Sequence, residues 1–163
     1  MLQLFLFLHV MGAIAVFGPT FVFPIIASAT RRAPQHGHFA AELAHTIESK
    51  VVIPGAIVQG LTGLGLIAII GLDVTSSPWR WLLIAIPLYL VAILYAIFVQ
   101  GPAANRMVEL TGAMSGPPPA GAPAGPPPEL VANGQKLQRG GMFLTVLIVL
   151  IVLLMVTKPV LGS

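Results

Sequence analysis

Four long apolar runs alternate with short polar connections along the whole chain. The runs cover residues 2–29, 51–72, 81–100 and 142–157. A helix needs about 20 apolar residues to cross the hydrocarbon core of a bilayer. Backbone polar groups find no water there, and open strand edges cannot face lipid, so all four runs are expected to be helices. The pattern predicts an all-α four-helix transmembrane bundle, one integral membrane domain over residues 1–163.

Each run has its own character. The first is longer than a bilayer requires, and Gly18-Pro19 and Pro24 are expected to kink it, because proline removes a backbone donor and crowds the preceding turn. The second carries Gly55, Gly60, Gly63, Gly65 and Gly71. The third contains Pro87. The fourth is almost pure Leu, Ile and Val and is expected to face lipid over much of its circumference. Ala27-Ser28-Ala29 resembles a signal-peptidase site, but no positive region precedes the run. The run also far exceeds the about 7–15 apolar residues of a signal peptide, so an uncleaved span is expected.

The connections differ too. Residues 39–49 are good helix formers running into the second span without a breaker before Pro54. Residues 73–80 form a tight turn. The third connection opens on Gly101-Pro102, where the helix is expected to break or kink, with residues 103–114 as a short interfacial helix. Residues 116–128 read GPPPAGAPAGPPP, a low-complexity stretch that favours extended polyproline conformation and builds no core. It reads as a semi-rigid spacer, with docking to an aromatic-lined groove as the alternative. Pro128 suits the first turn of a helix continuing into the fourth span.

Composition strengthens this picture. Only 8 % of the residues are charged and 56 % are hydrophobic, with a mean hydropathy of +0.94. A water-soluble domain carries about 25 % charged residues. Cysteine is absent, which excludes disulfides and thiolate metal sites. The basic pI of 9.8 reflects a net charge of only +3, with no basic run suited to nucleic acid. The charge reads instead as topology. Arg31, Arg32, Lys50, Arg106, Lys136 and Arg139 lie in the first and third connections, against Arg80 and Lys158 elsewhere. The richer side is expected to be cytoplasmic, which makes the bundle N-out/C-out. Trp79 and Trp81 flank Arg80 at the outer end of the third span, as an interfacial aromatic belt does.

Candidate chemistry is sparse. His9 lies about 10 Å along the helix from Leu2, and an ionisable side chain at that depth is a functional hypothesis by default. Gly12 and Ala13 give it a shallow face, and Tyr89 and the 63–65 region are expected at similar depth. In one reading His9 binds haem or relays protons, with Gly12 and Tyr89 completing the cofactor site. In the other a neutral His9 hydrogen-bonds a neighbouring helix; no second intramembrane histidine exists for a bis-histidine site. Gln59, Thr62 and Tyr95 are the other polar groups in the spans. Ala56, Gly60 and Gly63 form a small-residue stripe suited to close helix packing. His38, Glu42 and His45 share one helix face at spacings of four and three, with His36 nearby, which is a possible zinc or iron ligand set. It lacks further carboxylates from other helices, and a solvated juxtamembrane face is the plainer reading. No Walker loop, nucleophile elbow or zinc-protease motif occurs, and no acidic residue lies inside the spans.

The segment Leu4-Phe5-Leu6-Phe7-Leu8-His9-Val10-Met11-Gly12-Ala13-Ile14 resembles the opening span of a family of small bacterial four-span integral membrane proteins of unknown function. More distantly it is similar to copper-resistance-D-like and HemJ-like membrane proteins. The first resemblance implies a multi-pass protein of the bacterial cytoplasmic (inner) membrane and imports no activity. The HemJ-like one implies haem b with His9 as axial ligand. Two functions are therefore expected as alternatives. One is an accessory or scaffold protein contacting lipid and other membrane subunits, without catalysis. The other is a haem-b redox protein. A small-molecule or metal permease is a weaker third, because the spans lack charge.

Overall fold

In the computed structural model, residues 2–114 and 125–159 are described. Of the proline-rich stretch, residues 116–124 lie outside them. The described residues build seven α-helices joined into four long helical rods. All four are long and apolar enough to cross a membrane: Leu2–Arg32, Pro34–Ile70, Ser77–Ala113 and Pro128–Thr157.

The prolines set how each rod is built. In the first, α1 (Leu2–Phe17) passes through a 3₁₀ turn, Gly18–Phe21, into α2 (Phe23–Arg32). Pro19 and Pro24 occupy the opening positions of the turn and of α2, where the missing N–H costs least. The second rod starts with the 3₁₀ turn Pro34–His36. It continues as α3 (Gly37–Ile47), a π-helical turn at Glu48–Val52, and α4 (Ile53–Ile70). The third contains α5 (Leu82–Tyr95), a second π turn at Ala96–Gln100, and α6 (Gly101–Ala113).

The expected break at Gly101-Pro102 is absent, and α6 prolongs the third span instead of forming a separate interfacial helix. The two π turns explain this. Pro54 and Pro102 are each the second residue after one. A proline ring clashes with the carbonyl four residues back. Widening the preceding turn by one residue moves that carbonyl away, so the helix absorbs the proline as a π bulge.

α4 ends on Gly71, whose left-handed φ of +69° only glycine adopts without strain. The Leu72 amide then donates to Ile67 O (3.0 Å), closing the helix end. In the connection that follows, the Asp73 carboxylate accepts from the Thr75 amide (2.9 Å) and hydroxyl (2.6 Å). These bonds hold its pKa below the ordinary value. The fourth rod is a single helix, α7 (Pro128–Thr157), with Pro128 in its first turn as expected.

α1 packs on α4, α3 on α6, and α5 and α6 on α7, while α4 touches α5 and α2 returns to α7. At one end Trp81, Leu82 and Ala85 form a buried cluster backed by Ile67, Leu72 and Leu154. Elsewhere the buried positions mix small residues such as Ala56, Ala92 and Ala103 with Val16, Leu66 and Leu147, and no more than 17 % of the most apolar window of any rod is buried. So much outward apolar surface is stable only against lipid or other membrane proteins.

Candidate functional site

α1 and α4 meet around one polar cluster. His9 is 7 % exposed. Its Nδ1 lies 2.8 Å from the Thr62 hydroxyl and 3.1 Å from Gln59 Nε2. Gln59 Nε2 also donates to the backbone carbonyl of His9 at 2.8 Å. The Thr62 hydroxyl in turn donates to Gln59 O at 3.0 Å, so the ring, the hydroxyl and the amide form one connected network.

Two glycines make room for this cluster. A methyl on Gly63 would lie 3.2 Å from His9 Cε1 and 3.9 Å from Nε2, so the ring edge rests against the bare backbone of α4. A methyl on Gly12 would lie 2.7 Å from Gln59 Oε1, too close for any real contact. His9 and Gly12 thus belong to one cluster, joined through Gln59. Tyr89 does not. Its ring packs on Gly60, its hydroxyl donates to Ala56 O, and Phe17 meets it edge-on at 6.5 Å. The Ala56, Gly60 and Gly63 stripe therefore serves two neighbours. Gly63 receives α1, while Ala56 and Gly60 receive α5.

A second polar set joins the third and fourth rods. Gln100 Nε2 donates to Leu137 O (3.2 Å), and Asn133 Nδ2 donates to Ala103 O (2.9 Å). Tyr95 stands edge-on to Phe143 at 4.9 Å. Gly140 is buried beneath Gln100 and Tyr95. The sequence singled out neither Gln100 nor Gly140, because a polar residue at the end of an apolar run reads as a boundary.

The His38, Glu42 and His45 set is only partly gathered. His38 Nε2 lies 3.4 Å from Glu42 Oε1, and its Nδ1 lies 3.2 Å from the Thr111 hydroxyl. Gly112 gives its ring space. His45 stands apart, its Nδ1 buried without a hydrogen bond among the described residues. No group of three metal-ligating side chains converges among the described residues. His36 lies apart on the α2–α3 side. One buried carboxyl escaped the sequence reading. Glu48 is only 8 % exposed, and it sits in the π turn just before the second apolar run.

The haem implied by the distant resemblance can be tested against His9. An axial ligand needs a ring nitrogen open to the iron and a flat cleft beside it. Here Nδ1 is engaged, and the Cε1–Nε2 edge faces the backbone at Gly63. His9 lines neither of two surface cavities, of about 260 and 240 Å³. The residues at His9 do not fit a haem.

Within the spans, His9, Gln59, Thr62, Tyr89 and Gln100 hydrogen-bond one helix to another. No match to the chain was found among curated proteins or among solved structures. Residues 3–159, nearly the whole chain, match the family described as "Predicted integral membrane protein (DUF2269)". Four apolar rods and a family match of that extent agree, and the chain belongs to this family of integral membrane proteins.

Proposed function

We propose that this protein is a non-catalytic accessory or scaffold component of a membrane complex. One observation carries the reading: His9, Gln59, Thr62, Tyr89 and Gln100, polar groups that could have done chemistry inside the membrane, are committed to bonds between helices. Large side chains such as Phe98 (71 % exposed) and Val156 (76 % exposed) point outward, which supports helix-to-helix assembly with other subunits as well as lipid contact. The excess of Lys and Arg in the first and third connections supports an N-out/C-out orientation. The resemblance of the 4–14 segment supports a bacterial cytoplasmic membrane.

The test combines absorption spectroscopy with native mass spectrometry on protein purified in mild detergent. A featureless visible spectrum and stoichiometric co-purifying membrane subunits are expected. A monomer with a Soret band, oxidised and reduced by turns with dithionite, overturns the reading.

A further inference from the structure

α2 and α3 meet at their turn, where a methyl on Gly37 would lie 3.6 Å from Thr30 Cγ2. Beside the turn is a groove of about 260 Å³, lined by Ala29, Ala33 and Ala40 together with Ile26, Phe39, Leu43 and the turn residue His36. Phe39 is 66 % exposed, so its ring is free to line an occupant. A trough of alanines between larger apolar side chains matches a hydrocarbon chain. It is too short to seat a partner helix, which needs anchors over several turns.

Charge at the end of the groove identifies the head of that occupant. Arg31 and Arg32 form the last turn of α2. Both are exposed, and neither has an ion pair or hydrogen bond among the described residues. No Asp or Glu precedes Glu42 in the chain, and Glu42 pairs with His38. Arg106 is different, with Glu109 and Glu129 carboxylates at 2.8 and 2.6 Å. Long arginine side chains at a helix end extend toward the headgroup layer. Their planar forks suit phosphate.

We propose that the α2–α3 groove is a binding site for an anionic phospholipid. One acyl chain lies on Ala29, Ala33 and Ala40, and Arg31 and Arg32 hold the phosphate.

The full chain, reconstituted into vesicles of phosphatidylcholine and phosphatidylglycerol and extracted in mild detergent, is examined by native mass spectrometry. Phosphatidylglycerol is expected to be retained in preference to phosphatidylcholine. Each arginine near a headgroup contributes roughly a fivefold preference for an anionic lipid. Joint Arg31→Gln and Arg32→Gln replacement therefore lowers the ratio of the two lipids roughly 25-fold, whereas Arg106→Gln leaves it unchanged. Ala33→Trp fills the groove and removes retention of both lipids, and Ala29→Leu reads the same contact if that variant does not accumulate. Equal retention of the two lipids by the unaltered protein overturns the proposal. So does an undiminished ratio in the double-arginine variant, or full retention when the groove is filled.

Discussion

Gly140 and Gly141 are neighbours in sequence and should respond to the same substitution with opposite signs. A methyl on Gly140 would collide with Gln100 Oε1 and sit 3.0 Å from the Tyr95 hydroxyl oxygen and 3.2 Å from Tyr95 Cε1. Neither side chain retreats freely. Gln100 Nε2 is tied to Leu137 O, and the Tyr95 ring is held against Phe143. Overpacking of this kind costs about 1–3 kcal/mol. Losing the Gln100 bond adds about 0.6 kcal/mol, the mean for such bonds in a membrane. Alanine's better helix propensity returns about 0.5–1 kcal/mol. The expected net loss for Gly140→Ala is therefore about 0.6–3 kcal/mol. A methyl on Gly141 meets only Gln100 Nε2, at 3.9 Å. Gly141→Ala should accordingly be neutral or stabilising by up to about 1 kcal/mol. Unfolding by SDS titration in mixed micelles, followed by far-ultraviolet circular dichroism, separates the two. Gln100→Ala introduced beside Gly140→Ala should restore most of the loss. Equal effects of the two glycine substitutions, or no recovery in the double variant, refute the reasoning.

The same assay applies to α1. Gly12→Ala, whose methyl would meet Gln59 Oε1 at 2.7 Å, should destabilise by about 1–3 kcal/mol, while Gly18→Ala, with nothing within 4 Å, should be neutral. The Glu48 carboxyl is buried without a hydrogen bond or ion pair among the described residues, so Glu48→Leu is expected to leave stability unchanged or raise it by up to about 3 kcal/mol; a large loss would contradict that reading. The Asp73 carboxylate, held low first by the Thr75 hydroxyl, steadies the 73–80 connection above its unfolded pKa and loses that effect as pH falls through its folded value. Thr75→Val should raise the Asp73 pKa part of the way back, as read by carboxyl carbon NMR titration, and an unchanged titration would contradict the hydrogen-bond account.

The four spans were legible because lipid leaves a chain little choice: an apolar run long enough to cross must be helical. The role of Pro128 was legible for a similar reason, since proline at a helix start loses nothing, whereas Pro19, expected as a kink, opens a 3₁₀ turn. Pro54 and Pro102 were harder. Each reads as a breaker in one dimension, and only the structure shows a π turn accommodating each ring and carrying the rod onward. The small-residue stripe on α4 was visible as a packing surface, but spacing could not say that Gly63 takes His9 while Gly60 takes Tyr89. His9 likewise showed its own-helix neighbour Gly12 in the sequence. Its real partners, Gln59 and Thr62, lie about fifty residues away, and helical periodicity does not cross that distance. Gln100 and Gly140 were missed for the same reason. Each is unremarkable alone, and the site exists only where α7 crosses the third rod.

The central claim is that polar side chains within the spans bind helix to helix, with His9 and Gln59 as the principal link. A double-mutant cycle with His9→Ala and Gln59→Ala, read by SDS unfolding, measures that link directly. Two hydrogen bonds join the pair. The side-chain contact that the cycle isolates should give a coupling of about 0.6 kcal/mol and at most about 1.7 kcal/mol, the range for such bonds within a membrane. Strictly additive losses, with each substitution indifferent to the other, would contradict it.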